Sequence, residues 1–281
     1  MAPARRQIWL CADDYGISRS VNSAIRELIL RGRLNATSVM TAASHADAGE
    51  AAALDKLNSG CKRVALGLHV TLTAPFKPLS DGFAPLSRGH FMPLAKLMRA
   101  AVARRLNRER LAAEVAAQVQ AFVTAFGRPP DFIDGHQHIH LFPQVRDAVL
   151  AVAARAAPGA WVRQCGRARA AGRLRGRKEL LLDVLSVGFR RKARQLEIAT
   201  NPAFAGAYNF DSKLAFAAIF PRFLTGLPDG GLIMCHPGFV DDELEQLDPL
   251  THQREREFAF FNSDDFPRLL TEHSVALASP G

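Results

Sequence analysis

The sequence predicts an α/β fold: one domain of mostly parallel strands, closed into a barrel or wound as a sheet. Three observations lead there. Short apolar runs alternate with amphipathic helical stretches in a βαβαβ rhythm, the pattern of a parallel sheet with helical crossovers. The length of 281 residues exceeds an average domain yet suits an α/β barrel as a single unit. Polar residues gather where the apolar runs end, which is where parallel folds assemble their sites.

Taken in order, Gln7–Ala12 reads as a first strand ending in two aspartates. Ser18 or Ser20 offers an N-cap for a helix with Val21, Ile25, Leu28 and Ile29 on its apolar face, closed by Gly32. Thr37–Thr41 is a second strand, Ala46–Leu57 an Ala-rich helix and Arg63–Thr71 a third strand. The stretch from Pro75 to Pro93, rich in Pro, Gly, Ser and Asp, predicts a long loop of the kind used as a lid or substrate-binding segment. Helical periodicity then runs through Leu94–Phe126 and stops at Gly127. Asp131–Gly135 is a short strand leading into a histidine cluster, Pro143–Ala157 a helix, and Ala160–Gln164 and Gly231–His236 the remaining clear strands.

A composition of 48% hydrophobic and 22% charged residues excludes wholesale disorder and collagen-like architecture. Cys11, Cys61, Cys165 and Cys235 lie far apart without a CxxC pair, so no zinc knuckle or redox motif is expected. The apolar stretch before Asp13 is too short for a signal peptide or a span, which makes a cytoplasmic protein the expectation.

Chemistry concentrates at four strand ends: Asp13-Asp14, His69, the run Asp134-Gly135-His136-Gln137-His138-Ile139-His140, and His236 in Cys235-His236-Pro237-Gly238. One carboxylate and two imidazoles make a facial set for a divalent ion, with positions left for water and substrate. Neighbours on an extended strand point to opposite sides, so one aspartate of the pair can ligate while the other acts as a base or orients a ligand. If the fourth strand continued, His136, His138 and His140 would share one face. The plainer readings are an aspartate pair that caps a helix, a surface histidine patch and a core His69. His45, His90, His252 and His273 lack such company and read as structural or exposed.

These motifs carry a resemblance. Ala12-Asp13-Asp14-Tyr15-Gly16-Ile17-Ser18 with Val21-Asn22 and Thr37-Ser38, then Gly67–Thr73, Asp134–His140 and Cys235–Gly238, follow the order seen in the YdjC-like carbohydrate deacetylases, which the chain resembles over most of its length. The resemblance implies a deformed (β/α) barrel of the glycoside hydrolase/deacetylase type. It also implies metal-dependent hydrolysis of an N-acetyl group on an amino sugar, with one divalent ion, Mg²⁺ or Zn²⁺, held by Asp14, His69 and His136. Asp13 would be the general base and His236 the general acid, with His138 and Arg163 as substrate contacts. The more usual Ser-His-His-His of the third motif reads Gly135-His136-Gln137-His138 here. Within the family the sequence looks most like the hopanoid-biosynthesis subgroup, which implies an N-acetylglucosaminyl bacteriohopanetetrol as substrate. A soluble chitooligosaccharide such as diacetylchitobiose is the alternative, and a basic membrane- or nucleic-acid-binding module on an inactive barrel is the alternative of another class.

Charge sharpens the question of partners. The chain holds 36 Lys+Arg against 27 Asp+Glu, a net of +9. Residues 161–195 alone hold eleven basic and two acidic residues, so one Leu-rich basic segment accounts for the whole excess. It is expected as an insert on the barrel. Basic flanks around an apolar stretch suggest peripheral contact with an anionic membrane, the inner membrane for a cytoplasmic enzyme; a solvated helix pair covering the barrel is the plain reading. The shortage of aromatic residues there argues against nucleic acid.

Overall fold

The computed structural model describes residues 5–168, 176–210 and 214–280. Arg169, Arg173, Leu174 and Arg175 of the basic segment lie outside the described residues.

Eight strands form the framework: β1 (Arg6–Tyr15), β2 (Ala36–Val39), β3 (Ala65–Val70), β4 (Phe132–Gly135), β5 (Trp161–Val162), β6 (Phe204–Ala205), β7 (Leu232–Cys235) and β8 (Val275–Leu277). Every pairing is parallel, in the order β5-β4-β3-β2-β1-β7-β6, with β8 added against the start of β1. Among the described residues the two ends are not joined by strand pairing. Instead the Val162 amide donates to the Ala199 carbonyl, the Phe204 amide donates to the Gly166 carbonyl, and Asn201 bridges Gln164 and Ala203 through its side chain. The result is a half-barrel, a deformed version of the closed form, and it matches the expected class.

Why these segments pair is visible in their burial. β1 from Leu10 onward, β2, β3 and β4 are buried along their whole length, so they read as continuous apolar runs covered on both faces. Gly67 is needed in β3 because a Cβ there would collide with the Phe132 ring, which stacks on Trp161 of the next strand.

Helices α1 (Arg19–Leu30), α2 (Ala48–Asp55), α3 (Leu94–Val102), α4 (Arg108–Phe126), α5 (Val145–Ala156) and α6 (Arg177–Gln195) cover the strands. Farther along come α7 (Phe216–Ile219), α8 (Pro221–Leu224), α9 (Asp242–Leu247), α10 (His252–Asn262) and α11 (Asp265–Glu272). Ser18 caps α1 by accepting from the Val21 amide, and Val21, Ile25, Leu28 and Ile29 are buried beneath it. The stretch expected as helical through 94–126 is two helices: Arg104 adopts φ 53 after α3, and Asn107 restarts the chain as the N-cap of α4. Between β3 and α3 the long loop has no helix or strand. It is tied down where the Leu79 and Ser80 amides donate to the buried carboxylate of Glu114 on α4.

The basic segment is not set apart from the barrel. Its first residues are β5, Arg163 to Cys165 are fully buried, and α6 packs Leu182, Ser186, Phe189 and Ala193 inward.

Candidate metal centre and active site

The carboxyl ends of β1, β3, β4, β5 and β7 converge at one rim and deliver the polar residues there. His69 and Asp134 are register partners across β3 and β4, so their side chains meet directly. At the end of β1 the pairing with β2 shifts register between Ala12 and Tyr15, and Asp14 takes φ 69. This bulge aims the two aspartates at different parts of one site. Extended alternation, the basis of the sequence expectation, is therefore not what separates them.

Asp14 sits at the centre of a donor set. Its Oδ1 lies 2.9 Å from His136 Nδ1 and 3.3 Å from His69 Nε2, and its Oδ2 accepts from Arg254 at 2.7 Å. Donor atoms of Asp14, His69 and His136 all fall within 4.8 Å of one another and are buried. The set fits a divalent ion on chemistry as well as distance. His69 Nδ1 is 2.5 Å from Asp134 Oδ1; a carboxylate can only accept, so Nδ1 carries a proton and Nε2 is the nitrogen turned to Asp14, the one an ion would take in place of a proton. Burial alone would push the His69 pKa down, but the carboxylates of Asp134 and Asp13 outweigh it and lift it to about 10. A pocket that holds a proton this firmly attracts a cation. Burial likewise opposes ionisation of Asp14, yet the neighbouring His136 and Arg254 charges hold it well below the usual carboxylate range.

A second acidic cluster, Cys11, Asp13 and Asp134, has comparable spacing but already contains a cation. Arg163 is fully buried and donates to Asp13 Oδ2 at 2.7 Å and Oδ1 at 2.6 Å, while its Nη2 is 2.5 Å from Asp134 Oδ2 and 3.0 Å from Cys11 Sγ. Arg163, expected as a substrate contact, is thus committed to these carboxylates and positions them. Even with the guanidinium beside it, burial raises the Asp13 pKa above the ordinary carboxylate value.

The histidine run does not continue the strand. β4 stops at Gly135, where a Cβ would lie 2.9 Å from His140 Nδ1, and a 3-10 turn follows with Gln137 and His138 at φ 55 and 59. The expectation of one shared face is corrected accordingly: His136 turns to Asp14, His138 lies against Cys165 Sγ at 3.6 Å and edge-on to Phe204, and His140 Nε2 donates to the Arg163 carbonyl. The left-handed turn sends the three imidazoles to three different places.

His236 follows β7. Its backbone amide donates to Glu257 Oε2 at 2.5 Å, and its ring meets Phe210 edge-on at 5.6 Å. Burial pushes the imidazole well below its usual range, against the pull of the Asp14 carboxylate. Phe210 and Tyr208 line a cavity of about 740 Å³ together with Lys178, Gln253, His252 and Arg256.

Sequence reasoning missed Arg254 and Glu257 of α10. Arg254 clamps Asp14 and also reaches Asp248 at 2.7 Å; Glu257 holds the His236 backbone and accepts from the Tyr208 hydroxyl at 2.6 Å. A signal was present: Gln253, Arg254 and Glu257 share the helical phase of Phe260 and Phe261, so polar residues sit on a face that should be apolar.

A half-barrel of parallel strands carrying a buried carboxylate and two imidazoles at its rim defines an α/β barrel protein with a candidate divalent-metal centre. Comparison with known proteins narrows this: the chain belongs to the YdjC-like protein family, whose pattern matches residues 7–272. Among relatives, the chitooligosaccharide deacetylase of Serratia marcescens is 32% identical over 241 residues, covering 84% of this chain and 83% of that one. The carbohydrate deacetylase of Clostridium beijerinckii is 25% identical over 274 residues, 95% of each chain. The fold is shared with a crystal structure from Enterococcus faecalis V583, named for cellobiose-phosphate cleavage, at TM-score 0.77 and 19% identity over 98% of both chains.

Proposed function

We propose that the chain is an amino-sugar N-deacetylase that hydrolyses the N-acetyl group of an N-acetylglucosamine-containing substrate. The observation that carries this reading is the Asp14, His69 and His136 donor set with the Asp13 carboxylate, fixed by Arg163, next to it in the chain. The names of the relatives, chitooligosaccharide and carbohydrate deacetylases, support it.

A divalent ion held by Asp14, His69 and His136 would supply polarisation of the amide carbonyl and acidification of a water molecule. Asp13, its pKa raised above the ordinary carboxylate value by burial, accepts the proton of the attacking water while Arg163 fixes its orientation. The water oxygen bonds to the carbonyl carbon, which becomes tetrahedral, and the carbon–nitrogen bond then breaks. Burial keeps the His236 imidazole neutral at rest, so it first takes up a proton. Negative charge developing at the carbonyl oxygen raises its proton affinity, the proton accepted by Asp13 supplies it, and His236 then passes that proton to the departing nitrogen. Acetate and a free amino sugar leave.

The aromatic side chains Tyr208 and Phe210 in the cavity beside His236 supply the apolar walls that sugar rings stack on. A second cavity of about 460 Å³, lined by Leu182, Phe204, Ile219, Phe223 and Leu227, shares Tyr208 with the first. Arg167, Glu179 and Arg222 also line it, and its apolar wall favours a glycolipid substrate, an N-acetylglucosaminyl bacteriohopanetetrol of hopanoid lipid biosynthesis. The relatives' names favour the second reading, a soluble chitooligosaccharide. Acetate release from both substrates, measured side by side with and without chelator, tests the proposal. Turnover that ignores the chelator, or that survives intact in Asp13→Ala and His136→Ala proteins, would refute the deacetylase reading; the preferred substrate decides between the two classes.

A further inference from the structure

We infer that the outer face of α6 is a docking surface for an anionic lipid bilayer. The helix has two faces of different character. Leu182, Ser186, Phe189 and Ala193 point inward, against α5 and the turn after β4. On the opposite side Leu180 is 45% exposed, Leu181 42%, Val184 63% and Val187 61%. A helix that merely covers a barrel presents charged and polar residues outward, so four large apolar side chains within eight positions need a partner. Of the other large exposed apolar side chains among the described residues, Leu79 and Leu86 share the loop between β3 and α3, Leu196 caps α6, and Leu30, Val102 and Leu214 stand apart from one another.

Charge says what the partner is. At the helical spacing of 100° per residue, Arg177, Arg191 and Arg194 fall on the same outer side as the apolar four. The two acidic residues of the helix do not: Glu179 and Asp183 lie on its flank, and Asp183 is engaged by Arg167 at 2.9 Å. The exposed face therefore combines apolar side chains with positive charge that no carboxylate of the helix offsets, and the surrounding segment carries the entire net charge of the chain. That combination suits an interfacial helix whose apolar residues enter the acyl boundary while basic residues meet anionic headgroups. No helix of the described residues is long and apolar enough to cross a membrane, so contact is along the surface. A second copy of the chain is a poor occupant, because a two-fold contact would set this basic face against itself. Nucleic acid is poorer still, since the apolar four offer phosphates nothing.

The geometry gives docking a consequence. Arg177, Lys178 and Glu179, at the start of α6, line the cavity whose Phe210 meets the His236 ring, so the bilayer face runs up to the edge of that cavity. A docked protein would present that cavity to headgroups.

Cosedimentation of the full chain with vesicles tests this without reference to turnover, which keeps it separate from the deacetylase reading. The chain is expected to sediment with phosphatidylglycerol–phosphatidylcholine vesicles and to stay in solution with phosphatidylcholine alone. In the Leu180→Ser/Val184→Ser/Val187→Ser protein that sedimentation should be lost while circular dichroism and thermal unfolding stay as in the parent. Arg191→Gln/Arg194→Gln should weaken binding roughly fivefold per arginine and lessen its salt sensitivity. Absence of sedimentation with the anionic vesicles overturns the inference, as does full retention by the triple serine variant. So does a triple variant whose only effect is to turn a dimer into a monomer, which would assign the face to a second copy.

Discussion

Asp134 and His69 meet across adjacent parallel strands with 2.5 Å between Oδ1 and Nδ1, and this contact decides which nitrogen of His69 faces Asp14. The carboxylate acts on the donor set without belonging to it. Asp134→Asn leaves the shape in place but removes the charge that fixes the imidazole, and affinity for a divalent ion is expected to fall roughly 10–100-fold. Calorimetric titration of the metal-stripped protein with Zn²⁺ or Mg²⁺ measures this directly; unchanged affinity would show that His69 needs no orienting partner.

Asp13 and Asp14 are neighbours with separate partners, Arg163 for the first and His136, His69 and Arg254 for the second. Asp13→Asn is therefore expected to lower kcat by about 10²–10⁴ while metal affinity stays close to that of the parent. Acetate-release kinetics and a metal titration on the same protein check both halves, and a variant that loses metal and turnover together would move Asp13 into the ligand set.

Arg163 neutralises two carboxylates in a place with no access to water. Breaking a buried pair from one side leaves charge uncompensated, and here two aspartates would face each other. Arg163→Met is expected to cost about 3–5 kcal/mol in urea unfolding, whereas a surface change such as Arg191→Gln should cost almost nothing. Equal midpoints for the two variants would contradict this placement of Arg163.

Burial raises the Glu257 carboxyl from its ordinary 4.5 to about 7. A group raised in the fold binds its proton more tightly there than in the unfolded chain. Its contribution to stability is complete below about pH 4.5 and is lost as pH rises through about 7. Glu257→Gln cannot ionise, so its urea midpoint should lack that decline between the two values, although the amide also sets an N–H against the donors Tyr208 and His236. Parallel slopes for parent and variant across this window would show that Glu257 titrates normally.

Much of the site was readable because strand ends announce themselves. Apolar runs that stop at Asp13-Asp14, at His69, at Asp134 and before His236 name their own rim, and the order of those motifs carried the family resemblance. What periodicity could not supply was direction. The bulge at Asp14 and the left-handed turn at Gln137 and His138 re-aim side chains by backbone dihedrals that leave little mark in the sequence. The expected single face of three histidines therefore became three destinations. The unbroken helical pattern of residues 94–126 likewise hid a turn.

The sequence by itself determined the class of fold, the candidate donor residues and the segment that holds the net charge, since each depends on local spacing or on counting. Only the tertiary structure decided that Arg163 belongs to a buried carboxylate cluster while Arg177, Arg191 and Arg194 of the same segment reach solvent, and that Arg254 and Glu257, more than 200 residues from Asp13 and Asp14, complete the surroundings of the site. The physical reason is that a charge is tolerated in a barrel core only beside its opposite, and which opposites meet depends on how distant strands and helices come together.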